Sequence, residues 1–192
     1  LRMSRGLGDV YKRQGSMSVY QCMLADISDV AAFLPKAVLI GILVGIVLRL
    51  CHVRGRQWTG SVLFVIYVVV LLQTVFFCRE PGSRWGTDMR LFGTWGTTMQ
   101  DHAWVLENVL LFIPLGLLLP LLLPKRWHPI TVPAGLFGSI CIEFVQLRTG
   151  RGFCQLDDIV MNTLGALAGY LLWLAGRGLL RGILRFCDRQ GR

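Results

Sequence analysis

The sequence predicts an all-α membrane protein, a bundle of about five transmembrane helices. Of its 192 residues, 54% are hydrophobic and only 16% are charged, whereas a water-soluble domain carries about 25% charged residues. The apolar residues also occur in long blocks rather than in amphipathic stripes. Since about 20 apolar residues are enough to cross a bilayer as a helix, composition and patterning together indicate a polytopic membrane protein.

Five apolar blocks are long enough to be predicted spans. The first holds Pro35 in its first turn, where a helix tolerates proline because that N–H has no helical partner. The third contains Pro114 near its middle, which predicts a kink. The five predicted spans cover residues 31–50, 61–77, 103–123, 129–147 and 159–175.

Terminal segments flank the predicted transmembrane domain of residues 31–176. Residues 1–16 include DVYKRQ, which resembles the translation of an adaptor used in DNA-sequencing libraries. We therefore expect the natural start at Met17, with residues 17–30 as a short N-terminal segment. Residues 177–192 form a basic tail with an arginine at every fourth position up to 189. This tail could lie on anionic inner-leaflet lipid, or it could be a stop-transfer anchor that fixes the topology.

The basic residues are distributed unequally between the two sides of the membrane. The first and third connections and the tail carry ten basic residues, and the opposite side carries six. The positive-inside rule therefore predicts a cytoplasmic C-terminus and places the 79–101 loop outside. The net charge of +9 does not indicate nucleic-acid binding, because the basic residues border apolar spans. The six cysteines show no metal-ligand spacing, so we expect free thiols, no metal and no other cofactor.

Polar residues inside the predicted spans gather near their outer ends. At 1.5 Å per residue, all of them lie within about 8 Å of the ends of their helices. Glu143 and Gln146 are three residues apart and Asp158 and Asn162 are four apart, so each pair shares a helix face. An acid at this depth is normally paired or faces a cavity. The members of this outer polar cluster are Glu107, Asn108, Glu143, Gln146, Asp157, Asp158 and Asn162.

The acids of the cluster are expected to have cationic partners. The nearest in sequence are Arg148 and Arg151, in the turn before the last span, and a guanidinium can bridge two carboxylates. Each acid also has a structural interpretation. Glu143 could form an ion pair with Arg148 or Arg151 that closes this turn. Asp157 and Asp158 could cap the last helix and complement its dipole.

The amides and glycines have structural interpretations as well. Asn108 and Asn162 could join helices through hydrogen bonds in the apolar region. The segment GALAG (165–169) has the small-xxx-small pattern that is typical of close helix packing. A homodimer through Gly165 and Gly169 would use the same face.

Three segments follow one another in an order that is specific to one family. They are ENVLLFIPLG (107–116), IEFVQL (142–147) and TGRGFCQLDDIVMNTLGALAGY (149–170). Together they resemble the VanZ-like family of bacterial membrane proteins over roughly residues 61–175. Gln155 departs from the family, since relatives often carry an acid there, and this puts a third carboxylate for a metal in doubt. The family positions present here are Asn108, Phe112, Pro114, Gly116, Glu143, Gln146, Arg151, Asp157, Asp158, Asn162, Gly165 and Gly169.

The resemblance implies a multi-pass protein of the bacterial plasma membrane that is linked to the cell envelope. The family is named for an accessory protein of teicoplanin-type glycopeptide resistance. We therefore expect an outward-facing site that binds a lipoglycopeptide or a lipid-linked cell-wall precursor beside membrane lipid. Its expected binding residues are Asn108, Glu143, Gln146, Arg151, Asp157, Asp158 and Asn162.

An alternative function is a membrane-embedded enzyme that acts on a lipid head group. Glu143, Asp157 and Asp158 would then supply general acid and base. The sequence lacks HExxH and the other known intramembrane catalytic signatures, which favours a binding protein. A transporter is disfavoured because no charge lies at mid-membrane. An open groove at the cluster would favour binding or catalysis, and a sealed cluster would favour a structural role.

Overall fold

The described part of the chain contains five long helices, a short 3-10 helix (Lys125–Ile130) and one pair of very short strands. The predicted adaptor segment and the expected start at Met17 lie outside the described residues. The computed structural model describes residues 18–21, 23–24, 31–79, 81–82, 86–93, 95–96 and 98–190. The helices are α1 (Leu34–Leu50), α2 (Gly55–Leu72), α3 (Met99–Leu122), α4 (Thr131–Thr149) and α5 (Leu156–Gln190). The strands are β1 (Thr87–Asp88) and β2 (Cys154–Gln155), which pair in parallel.

Four of these helices are long and apolar enough to cross a membrane, which confirms the all-α membrane bundle. They correspond to the second to fifth predicted spans. Helix α1 corresponds to the first and has 17 residues, at the lower limit for a crossing helix, so its crossing stays a prediction. The four spanning segments are Gly55–Phe77, Met99–Leu122, Lys125–Thr149 and Leu156–Cys187.

Several helix boundaries differ from those predicted. The last turn of α2 widens into a π-helical turn, Gln73–Phe77, in which Thr74 Oγ1 donates to the Val70 carbonyl at 2.9 Å. Helix α3 continues without a break through Pro114. Helix α5 continues well past residue 176, so the basic tail is a direct extension of the last span. No proline interrupts α5, and glycine lowers helix stability without ending the helix.

The closest helix packing is between α3 and α5. A Cβ atom added at Gly165 would overlap the carbonyl oxygen of Val109, and one added at Gly169 would overlap that of Ile113. Gly116 on α3 in turn meets the backbone of α5. The GALAG face therefore packs within the chain, as its pattern predicts. A homodimer through the same glycines would have to displace α3.

The connections at the predicted outer end of the bundle are fixed by local hydrogen bonds. Thr98 and Asp101 form a capping box at the start of α3, in which each side chain accepts from the other residue's backbone N–H at 3.1–3.2 Å. Gly150 ends α4 in the left-handed conformation, with φ of 63°. The β1–β2 pair then ties the loop before α3 to the turn before α5. These connections bring the outer ends of the spans together.

We expect Gly165→Ala to destabilise the bundle by about 1–3 kcal/mol, because the added methyl group overlaps the backbone of α3. Thermal unfolding of the detergent-solubilised protein measures this effect. Gly176→Ala is the matched control, since it lies on the same helix with nothing within 4 Å of the added Cβ. Equal melting temperatures for the two variants would contradict a packing role for Gly165.

Candidate functional site

Two asparagines of the outer polar cluster join helices. Asn108 on α3 donates from Nδ2 to Oδ1 of Asp158 on α5 at 2.7 Å. Asn162, one turn further along α5, donates to the Ser139 hydroxyl of α4 at 2.9 Å. The three helices are thus linked by amide hydrogen bonds, which is the structural interpretation of these residues.

Glu143 and Gln146 face the protein interior on α4. Glu143 is 2% exposed, and its Oε2 accepts a hydrogen bond from the backbone N–H of Gln155 at 3.0 Å. Gln146 donates to the carbonyl of Val75, in the π-helical turn that follows α2, at 3.0 Å. Because Glu143 contacts the backbone of residue 155, that bond does not depend on which side chain stands there. The hydrogen bond to Glu143 is therefore kept although Gln155 departs from the family pattern.

Asp157 holds the outer loop. Its Oδ1 accepts from the backbone N–H of Phe92 at 2.6 Å, and its side chain is buried. Phe92 has a φ of 61°, a left-handed conformation that is uncommon for a residue other than glycine. The buried carboxylate therefore stabilises this conformation. Asp157 also lies in the first turn of α5, where a carboxylate complements the helix dipole.

The cation whose charge acts on the acids differs from the two predicted. The charge of Arg79, which follows α2, acts on both Glu143 and Asp158. Its Nη1 lies against Gly152, where an added Cβ would approach to 2.8 Å. Sequence reasoning missed Arg79 as a partner because it lies in a different connection from the acids. Its position just beyond an apolar span was the available signal.

Arg148 and Arg151 instead contact aromatic rings. The guanidinium of Arg148 lies 5.8 Å from the ring centroid of Phe144, and that of Arg151 lies 5.9 Å from Phe77. Within the described part of the chain, neither forms a salt bridge with an acid. The expectation that they pair with the acids was therefore wrong.

The cluster divides into a buried base and an accessible rim. Base residues are at most 4% exposed and are hydrogen-bonded to other elements; they are Glu143, Gln146, Asp157 and Asn162. Rim residues are half-buried or exposed; they are Arg79, Glu107, Asn108, Arg151 and Asp158. Two cavities of the described residues lie elsewhere, between α1 and α2 and beside the inner end of α3. The base is thus sealed, the arrangement that favours a structural role, and only the rim is accessible from the surface.

Comparison with known proteins yields one match. A family model described as VanZ/LLP1 matches residues 64–181, which is more than half of the chain and includes every residue of the base and the rim. No curated protein matches the chain, and no solved structure does.

We expect Asp157→Ala to loosen the loop around Phe92, because the backbone N–H loses a charged acceptor. Loss of such a bond costs about 1.5–3 kcal/mol, which corresponds to roughly tenfold or more faster cleavage of a transiently opened loop. Limited trypsin digestion after the exposed Arg90 measures the rate. The cleavage rate of Asp157→Asn, which keeps an acceptor oxygen, should fall between those of the unaltered protein and Asp157→Ala. Equal rates for all three proteins would show that Asp157 does not hold the loop.

Proposed function

The chain belongs to the VanZ/LLP1 family, and from that premise we propose that it is a multi-pass plasma-membrane protein of the bacterial cell envelope. Its rim would bind the polar head group of an acylated ligand at the outer surface. The ligand class would be a teicoplanin-type lipoglycopeptide or a lipid-linked cell-wall precursor. Both combine sugar or peptide groups with an acyl or lipid chain.

The observation that carries the proposal is the pairing of Asn108 with Asp158 at the outer end of the closest helix contact. The two side chains are half-buried, and the exposed Arg79 lies close enough for its charge to act on Asp158. An amide, a carboxylate and a guanidinium together provide donors and acceptors for sugar and peptide groups. The position at the end of the spans supports recognition beside lipid.

The lipid-facing surface below the rim supports the acylated character of the ligand. On α4, Phe137 is 69% exposed and Phe144 is 58% exposed. Phe144 follows Glu143 directly, so this apolar surface begins at the level of the cluster. A ligand whose head group contacts the rim could lay its acyl chain along this face. Glycopeptides without an acyl chain would lack that second contact.

The geometry does not favour the enzymatic alternative. General acid–base catalysis needs carboxylates that reach the reacting group, but Glu143 and Asp157 are buried and accept backbone hydrogen bonds. Cys154 is a poor nucleophile, because burial and the charges of Glu143 and Asp158 raise the pKa of its thiol. Among the described residues, no group of three His, Cys, Asp or Glu side chains could hold a metal ion.

The proposed orientation predicts which cysteines are accessible from outside. Cys78, Cys51 and Cys187 are exposed and free, and the positive-inside rule places only Cys78 on the outer side. In single-cysteine proteins, a membrane-impermeant maleimide should label Cys78 in intact cells and the other two only after permeabilisation. Labelling of Cys187 in intact cells would overturn the cytoplasmic C-terminus.

The binding function is tested by growth inhibition of a susceptible Gram-positive host that expresses the chain from Met17. The chain should raise the inhibitory concentration of teicoplanin but not that of vancomycin. Asp158→Ala should abolish protection at an equal membrane level, because it removes the rim carboxylate and its bond to Asn108. Asp88→Ala is the control, since this loop acid pairs with Arg90 rather than with a residue of the base or the rim.

Two outcomes would count against the proposal. Absence of protection by the unaltered chain at a normal membrane level would withdraw the teicoplanin ligand for this protein. Retained protection in Asp158→Ala would show that the rim is not part of the binding site. Membrane levels are measured for every variant, because loss of the Asp158 hydrogen bond also weakens the contact between α3 and α5.

A further inference from the structure

We propose that the groove between α1 and α2 binds an anionic phospholipid, with an acyl chain in the groove and the phosphate on Arg49. The groove is formed by residues 41–62, outside the matched region of residues 64–181. It lies at the end of the bundle that the charge distribution places in the cytoplasm. The proposal does not depend on the function of the outer polar cluster.

The shape and lining of the groove suit an acyl chain. Its volume is about 360 Å³, within the range of small-molecule sites in proteins. Ile42, Ile46 and Val62 supply apolar walls, and Gly41 and Gly45 supply the floor. Two of the lining side chains, Ile42 and Ile46, are exposed, so a lipid can reach the groove laterally from the bilayer.

One end of the groove carries a fixed polar group. Trp58 donates from Nε1 to the carbonyl of Gly45 at 2.7 Å, which holds the indole ring as an end wall. The guanidinium of Arg49 lies 6.0 Å from the centroid of that ring, within the range of a cation–π interaction. Tryptophan and arginine at this depth are typical of the membrane interface. Arg49 is exposed, so its N–H groups can reach a phosphate.

The surrounding charge selects an anionic head group. Arg54 and Arg56 follow Arg49 in the adjoining turn, and no acidic residue occurs between positions 30 and 79. No carboxylate in this segment therefore competes for Arg49. Each basic residue near the surface attracts anionic lipid by about 1 kcal/mol, whereas a zwitterionic head group brings a cation of its own. Apolar walls with a basic end thus match phosphatidylglycerol better than phosphatidylcholine.

The test is native mass spectrometry of the purified full chain, titrated with phosphatidylglycerol or phosphatidylcholine of identical acyl chains. The unaltered chain should bind phosphatidylglycerol more tightly. Arg49→Gln should weaken phosphatidylglycerol binding about fivefold and weaken phosphatidylcholine binding less, because the choline cation beside that phosphate offsets its attraction to Arg49. The matched control is Arg126→Gln, since Arg126 also lies beside a tryptophan, 5.8 Å from the ring of Trp127, but in another turn.

A second pair of variants tests the groove itself. Ile46→Trp fills it and should weaken the binding of both lipids. Val47→Trp places the same side chain on an exposed neighbouring position that does not line the groove, and should leave binding unchanged. Equal affinity of the unaltered chain for both lipids would overturn the proposal. So would an equal effect of Arg126→Gln and Arg49→Gln, or unchanged binding in Ile46→Trp.

Discussion

The contact between α3 and α5 is the constraint on which the rest of the structure depends. Inside a bilayer no hydrophobic effect drives helices together, so association relies on close packing and interhelical hydrogen bonds. Gly165 and Gly169 on α5 let the two backbones touch along α3. Once this register is set, Asp158 must lie beside Asn108 near the outer ends of the same two helices. The polar pair is thus positioned by an apolar contact deeper in the membrane.

The buried base also satisfies non-helical backbone at the end of the bundle that carries the polar cluster. Irregular backbone near lipid must have its N–H and C=O groups satisfied by the protein. Glu143, Gln146 and Asp157 each bond the backbone of a segment distant in sequence, the turn before α5, the end of α2 and the outer loop. These side chains therefore act as fixed partners for non-helical backbone. This explains their burial without reference to a ligand.

What could be predicted from the sequence depended on how local each property is. The positions of the long spans and the gathering of polar residues at one end follow from single helices, and both were predicted. The partner cation was not, because the charge of Arg79 acts on the acids from a different connection, whereas Arg148 and Arg151 are close to them in sequence and contact aromatic rings. The β1–β2 pair has two residues on each strand, too few to leave a pattern. The use of Asp157 to hold Phe92 likewise depends on a loop conformation that no sequence periodicity encodes.

The length of α5 bears on how the bundle responds to bilayer thickness. Its 35 residues extend over about 52 Å, against a hydrocarbon core of about 30 Å. Helices α2 to α4 end in turns, so their hydrophobic length is fixed. In a thicker bilayer, α5 can place more of its leucine-rich extension in the core while Arg177 and Arg181 reach back to the interface. A difference between bilayer thickness and hydrophobic length must therefore be accommodated at α2 to α4. Helix α5 adapts to it without moving its outer end.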